Sequence, residues 1–291
     1  MKTCKALFAL ALALILAVGL CACMSAPAEE EEPVVTAKTD LPQSDEARLA
    51  YYGQLLAVAA ADAKKCTAEI SYGIDGIEAE NGSLKAAAKT LKGAVTGWLA
   101  SKEDLKPPGV AAFPPVPQAE EVTEILVRDV LEMEVERRLG ELQTAVDEGR
   151  NPDMAKATPE ERRTYVLEQM GVSARRDSDK YYQVNITLEP AAAGRLVRPS
   201  DKAAVLAELA KSKDYLLVED YSLAPKELTI YARVDKATDH LTELSVTEKA
   251  DLTTTVRGVG ALEGEGECPL ALTLTKTIKY TGFEWPETKE E

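Results

Sequence analysis

The sequence predicts an α+β chain in which helices and a strand–helix unit are followed by an antiparallel β-sheet, flat or curved. Three observations lead there. Apolar residues recur at helical spacing over much of residues 44–170. From Tyr181 to Phe283 the pattern changes to period-two alternation rich in Thr, Val, Leu and Tyr. Turn signals at Asn81-Gly82, Asp235–Asp239 and Gly258–Gly266 punctuate these runs.

The elements follow in order. Leu49, Tyr52, Leu55, Leu56 and Ala59 lie on one side of a helix over 44–65. Cys66 to Ala79 alternates as a strand, with Ala68, Ile70, Tyr72 and Ile74 against Thr67, Glu69, Ser71 and Asp75. After the turn, Ser83 is the expected cap of a helix from Leu84 to about Ala100, with Leu84, Ala88, Leu91, Val95 and Trp98 on one face. Pro107, Pro108, Pro114, Pro115 and Pro117 exclude a regular element over 106–117, because proline fixes φ and lacks the backbone donor. Ala119 to about Gly149 is expected as one long amphipathic helix, through Val122, Ile125, Leu126, Val130, Met133, Leu139, Leu142 and Val146. Thr158-Pro159-Glu160-Glu161 has the capping-box pattern and opens a shorter helix that Gly171 ends in the left-handed conformation. Tyr181–Leu188 is a strand. Ser200 caps a helix over 201–211, and strands follow over 215–221, 227–234, 241–256 and 270–283. A strand with an early Tyr, a turn and a Ser-capped helix occur at Tyr72/Ser83 and at Tyr181/Ser200, a loose shared plan with low identity.

The chain has 291 residues, enough for one or two domains with a real core. Aromatics are only 5%, so the core rests on aliphatic packing. Lys and Arg number 34 and Asp and Glu 49, a formal charge of −15. Such a surface repels nucleic acid, whose binding requires cations against phosphates, and for the same reason anionic lipid headgroups. Acidity of this kind keeps a protein soluble, the alternative being an acidic site for a cationic partner.

The amino terminus carries an address. Lys2 and Lys5 precede an unbroken apolar run from Ala6 to Leu20, shorter than the ~20 residues that span a bilayer and laid out as a secretory leader. Leu20-Cys21-Ala22-Cys23 follows and resembles the lipobox of bacterial lipoproteins. That resemblance implies diacylglycerol on the Cys23 thiol, cleavage before it, and a chain held at the extracytoplasmic face of the cell membrane. The alternatives are a plain signal peptide cut nearby or a retained anchor helix. Loss of the leader removes two lysines and leaves 32 basic against 49 acidic residues, a charge of −17. The expected organisation is a leader at 1–22, an acidic flexible tether at 23–42, a helix–strand–helix unit at 43–106, a Pro-rich joint at 107–117, and a domain of helices plus antiparallel sheet at 118–291.

Candidate chemistry is sparse. The chain has one histidine, His240, beside a predicted turn. It cannot build a multi-histidine metal site, and it reads as a solvated turn residue. Cys66 and Cys268 are the thiols left after processing, besides Cys23. They form either a disulfide, natural in an exported chain, or two separate buried thiols. Glu263-Gly264-Glu265-Gly266-Glu267 reads as a solvated turn, since calcium requires 6–8 oxygens in a fixed arrangement. There is no G-x-S-x-G, no phosphate loop and no G-x-G-x-x-G, and Gly258-Val259-Gly260 is not followed by a predicted helix. No catalytic residue, metal site or cofactor is expected.

From Leu228 to Phe283 a strand runs into an Asp235-x-x-Thr238 turn and then long Thr-rich strands. This is similar to the curved sheets of outer-membrane lipoprotein carriers and lipid-binding lipoproteins, in which a half-barrel wraps an apolar cavity. The leading expectation is a membrane-anchored extracytoplasmic lipoprotein that acts as a non-catalytic binding domain toward an unknown partner. The second is a carrier or sensor of an amphiphile in a sheet-lined cavity, implied by the carrier resemblance. An envelope enzyme is the third.

Overall fold

The computed structural model describes residues 41–105, 113–192 and 216–286. Cys23, the leader, most of the Pro-rich segment and the helix expected at 201–211 lie outside them. Helix α1 (Asp45–Asp62) starts as expected: the Ser44 hydroxyl accepts from the Ala47 N–H at 3.2 Å, and Asp45 and Glu46 occupy its positively polarised first turn. It buries Tyr52, Leu55, Leu56 and Ala59. Strand β1 (Lys65–Ala79) leads into α2 (Gly82–Leu99). Asn81, and not Ser83, caps α2: its Oδ1 accepts from the Ser83 N–H at 2.9 Å and the Leu84 N–H at 3.1 Å, because the turn places Asn81 at the point where helical dihedrals begin. Strand β2 (Ser101–Leu105) has no apolar alternation to announce it and exists by pairing along β1.

The single helix expected over 119–149 is two elements. Val122–Asp129 is strand β3, and only Val130–Asp147 is helix, α3. Val122, Thr123, Ile125 and Val127 are β-branched, and Ile125 and Val127 alternate into the core. Asp129 then marks the boundary, its Oδ1 accepting from the Leu131 N–H at 2.9 Å. Helix α4 (Pro159–Asp179) opens with the expected capping box, Thr158 and Glu161 satisfying each other's backbone N–H. Gly171 breaks its dihedrals at φ 72°, ψ 161°, yet the chain re-enters helix and continues to Asp179. Strands β4 (Tyr181–Leu188), β5 (Leu216–Asp235), β6 (Leu241–Gly258) and β7 (Glu267–Glu284) complete the order. β5 is one strand where two were expected. Its register is irregular between Val218 and Tyr221 and again between Pro225 and Glu227, the second accommodating the proline.

The seven strands of the described residues form one open, uncurled antiparallel sheet in the order β2-β1-β7-β6-β5-β4-β3. β1 lies inside it, between β2 and β7. The segments expected as separate units at 43–106 and 118–291 therefore share one sheet, and the described residues fall within one compact unit. The Pro-rich run joins two parts of one body. The reason is that β7 is long enough to pair β6 on one edge and β1 on the other.

The register puts a transverse row of β-branched aliphatics on one face: Ile70, Ile278, Val246, Ile230, Ile186 and Ile125, one from each of six strands. Ile186 is fully buried and Ile230 and Ile125 nearly so. Helix α1 packs on this inner face with Tyr52, Leu55, Leu56 and Ala59. At the opposite end of the same face, Leu84, Ala87 and Ala88 of α2 meet Leu216, Val256, Cys268 and Leu270. Lys276 also lies on the inner face, opposite Glu248 in register, with its ammonium 6.0 Å from the Tyr72 ring. Helices α3 and α4 do not lie over the core of the sheet. They pack on each other through Val135, Leu142, Val166 and Met170.

Candidate functional site

Two polar constructions stand out: a clasp around Lys236, and the open face of the sheet. The Asp235–Asp239 turn is built by Asp235, whose Oδ1 accepts from the Ala237 N–H (2.9 Å), the Thr238 N–H (3.1 Å) and the Thr238 hydroxyl (3.2 Å). Asp239 takes φ 56° to close it, a conformation Asp tolerates. The turn directs Lys236 inward. Its ammonium meets Asp129 at 2.5 Å and Asp179 at 2.9 Å, with the side chain fully buried and the Tyr182 ring 5.4 Å away. Burial opposes the ammonium, but the Asp129 and Asp179 carboxylates outweigh it and hold Lys236 above the usual lysine range. A lysine so held is neither base nor nucleophile. It ties the start of α3 and the end of α4 to the β5–β6 turn.

His240 is not solvated as expected. Its ring is half-buried and stacked on Trp285, centroids 3.9 Å apart and planes 15° from parallel. The Trp285 indole N–H donates to the Leu241 carbonyl at 3.2 Å, and Phe283 stacks beyond it at 6.0 Å. Next to the turn, burial and then Asp239 push the Tyr51 phenol well above its ordinary range, so it stays neutral.

Cys66 and Cys268 are both free and buried. The disulfide considered from sequence does not form. Both residues do begin strands, but β1 and β7 are antiparallel, which sets Cys66 beside residues 281–284 and leaves Cys268 at the far end of β7. Some fourteen residues of strand, roughly 45 Å, separate them, where a bridge needs Cα atoms within about 7 Å. Burial pushes the Cys66 thiol up. The Cys268 sulfur accepts from the Asn81 N–H at 3.4 Å and donates to the Pro269 carbonyl at 3.2 Å. In the acidic turn, Asn81 donates to a Glu265 carboxylate oxygen at 3.1 Å and holds that carboxyl below its usual range. Among the described residues no group of three or more His, Cys, Asp or Glu is placed to hold a metal ion.

The second construction faces away from α1 and α2. On this outer face β1 and β4–β7 bring Ser71, Thr277, Thr247, Thr229 and Thr187 into one transverse row, with Glu124 of β3 at its end. At a strand spacing of ~4.8 Å the five hydroxyls span about 19 Å. Thr247 and Thr277 are 3.2 Å apart, while the Ser71, Thr229 and Thr187 hydroxyls make no hydrogen bond among the described residues. The adjacent row holds Lys279, Ser245, Tyr231 and Asn185. Charges on this face pair across strands: Lys279 with Glu243 at 2.7 Å, Lys249 with Glu227 at 3.0 Å, Lys226 with Asp251 at 3.2 Å, and Lys102 with Glu69 at 3.8 Å. The Arg233 guanidinium lies 3.7 Å over the Tyr181 ring. None of the row residues is buried. The sequence signal for this row was the outward half of each Thr-rich alternation, which specifies a face but not the register that aligns the hydroxyls.

Compared with protein-family models, with curated proteins and with solved structures, the chain matches none.

Proposed function

We propose that this chain is an extracytoplasmic lipoprotein, anchored through acyl chains on Cys23, whose folded part is a non-catalytic binding domain that presents the outer face of its sheet. The observation that carries the reading is the one-sided cover of that sheet. Helices α1 and α2 take the apolar face, and the polar face is left exposed across β1 and β4–β7. The inner face at the α1 end is filled by Tyr52, Leu55 and Leu56, which favours a binding surface over a carrier cavity. The clasped Lys236 and the separated thiols supply no reactive group, which favours binding over catalysis.

No helix among the described residues is long and apolar enough to cross a membrane. Attachment in this reading therefore rests on Cys23, where two acyl chains hold stably and one is marginal. The 19 residues from 24 to 42 reach at most about 65 Å when extended, and their like charges favour extension. Cells fed a radiolabelled fatty acid test the anchor. The wild-type chain should carry label and partition into detergent, and Cys23→Ala should lose both. An unlabelled wild-type chain refutes the anchor.

A further inference from the structure

We propose that the hydroxyl row of the outer face, Ser71–Thr277–Thr247–Thr229–Thr187, with Tyr231 and Asn185 beside it, is a binding site for an uncharged glycan chain. This rests on the reading that the outer face is the contact surface, and it names the ligand class.

The face itself sorts the partners. A polyanion is disfavoured because the cations that would neutralise it, Lys279, Lys249, Lys226 and Lys102, already meet carboxylates across the strands. A cationic partner meets the same obstacle, since Glu243, Glu227, Asp251 and Glu69 are the other halves of those pairs. Close packing of a second copy through this face requires an apolar surface, and the row is hydroxyls. What remains open to a partner is neutral hydrogen-bonding capacity: the solvent-accessible Ser71, Thr229 and Thr187 hydroxyls, which have no side-chain partner among the described residues and each offer one donor and two acceptor lone pairs along a line. A glycan presents the same chemistry, hydroxyls repeated along an extended chain, and an uncurled sheet lets such a chain lie flat across several strands. Tyr231 neighbours the row through Asn185 and Ser245, on the same face. It supplies an apolar ring surface beside the hydroxyls, the combination that a sugar with one apolar and one polar aspect needs. Burial, with Glu243 beside it, holds the Tyr231 phenol above its ordinary range and so neutral.

The test uses the full mature chain in detergent micelles, passed over insoluble cellulose, chitin and amylose, with heparin–agarose as the polyanion control. The row predicts retention on at least one neutral polymer, none on heparin, and elution by the matching soluble oligosaccharide. Thr229→Val with Thr247→Val keeps shape and β-propensity while deleting two hydroxyls. It should weaken retention roughly tenfold or more, the loss expected for two hydrogen bonds. An unchanged circular dichroism spectrum and urea midpoint separate that loss from unfolding. Passage of the wild type through all three neutral polymers overturns the proposal, and so does equal retention of the double variant. A Thr247→Cys chain in intact cells distinguishes this failure from failure of the underlying reading. Protection of that thiol from a membrane-impermeant maleimide in cells, but not after purification, with no glycan retained, overturns the glycan and leaves the contact surface standing. Full labelling in cells overturns both.

Discussion

Replacing Lys236 by Met is the most exacting test of how the helical hairpin is held to the sheet. The ammonium is fully buried between Asp129 and Asp179, whose side chains are 19% and 21% exposed. Met keeps most of the volume but leaves two carboxylates facing each other without a cation. Breaking a buried pair by removing one partner costs about 3–5 kcal/mol. Here each acid keeps some water, and Asp129 keeps the Leu131 N–H, so the low end applies, about 3 kcal/mol. Against a total of about 5–15 kcal/mol this is a large fraction, and at a urea slope of up to ~3 kcal/mol/M it moves the midpoint by about 1 M or more. The triple replacement Lys236→Met, Asp129→Asn, Asp179→Asn removes the orphaned charges and should recover most of the loss. Lys236 is held above its unfolded-state value, so its contribution is whole below about pH 10.4 and is lost only as pH rises through the higher folded value. Wild type and Lys236→Met should therefore differ fully at neutral pH and converge in strong alkali. A Lys236→Met midpoint within ~0.3 M of wild type at pH 7 would refute the clasp.

Three further outcomes follow from the geometry. Arg137 first, and Arg138 after it, hold Glu134 down at about 2 against an ordinary 4.5; its support of α3 is whole above about 4.5 and disappears as pH falls through about 2. Glu134→Gln should flatten that acid limb in a helicity titration by circular dichroism, with an effect at neutral pH of no more than ~1 kcal/mol because these pairs are partly exposed. Neither Cys66 nor Cys268 should react with iodoacetamide in the native chain, and both should react in denaturant without prior reduction; a reductant-dependent mass would contradict the separation along β7. Gly171→Ala meets no atom within 4 Å, so its cost is backbone strain at φ 72° alone, about 1–3 kcal/mol, readable as a lower thermal midpoint.

Local signals were legible where one residue type settles the geometry. Thr158, Pro159 and Glu161 specify a helix start without tertiary help, and Tyr181–Leu188 alternates cleanly because its inner residues are buried and its outer ones are not. Val122, Ile125, Leu126 and Val130 also satisfy helical spacing, so Val122–Asp129 reads as helix from sequence alone. Pairing with β4, which no local window contains, decided for strand. β2 is invisible in sequence for the same reason, whereas Asn81 displaces Ser83 as cap through the local turn that sets where the helix begins. Cys66 and Cys268 looked joinable because both begin strands, and only antiparallel pairing shows that two strand starts lie at opposite ends.

The hydroxyl row was illegible in sequence for a related cause: it is set from beneath. Each of its residues neighbours in sequence a member of the inner aliphatic row, Ser71 beside Ile70, Thr277 beside Ile278, Thr247 beside Val246, Thr229 beside Ile230 and Thr187 beside Ile186. A one-residue slip of any strand would turn its aliphatic residue out to water, so burial under α1 fixes the register and the hydroxyls align as a consequence. The two rows are thus separable by mutation. Ile230→Ala, at a site 1% exposed, should cost about 2–5 kcal/mol by leaving a cavity, while its neighbour Thr229→Val should leave stability within about 0.5 kcal/mol, as surface substitutions do. Thr229→Val should weaken binding at the outer face, whereas Ile230→Ala at a temperature where the chain is still folded should leave the hydroxyls in place and binding close to wild type. If Thr229→Val destabilises as much as Ile230→Ala, the outer row is part of what holds the sheet together, and its exposure is not available to a ligand.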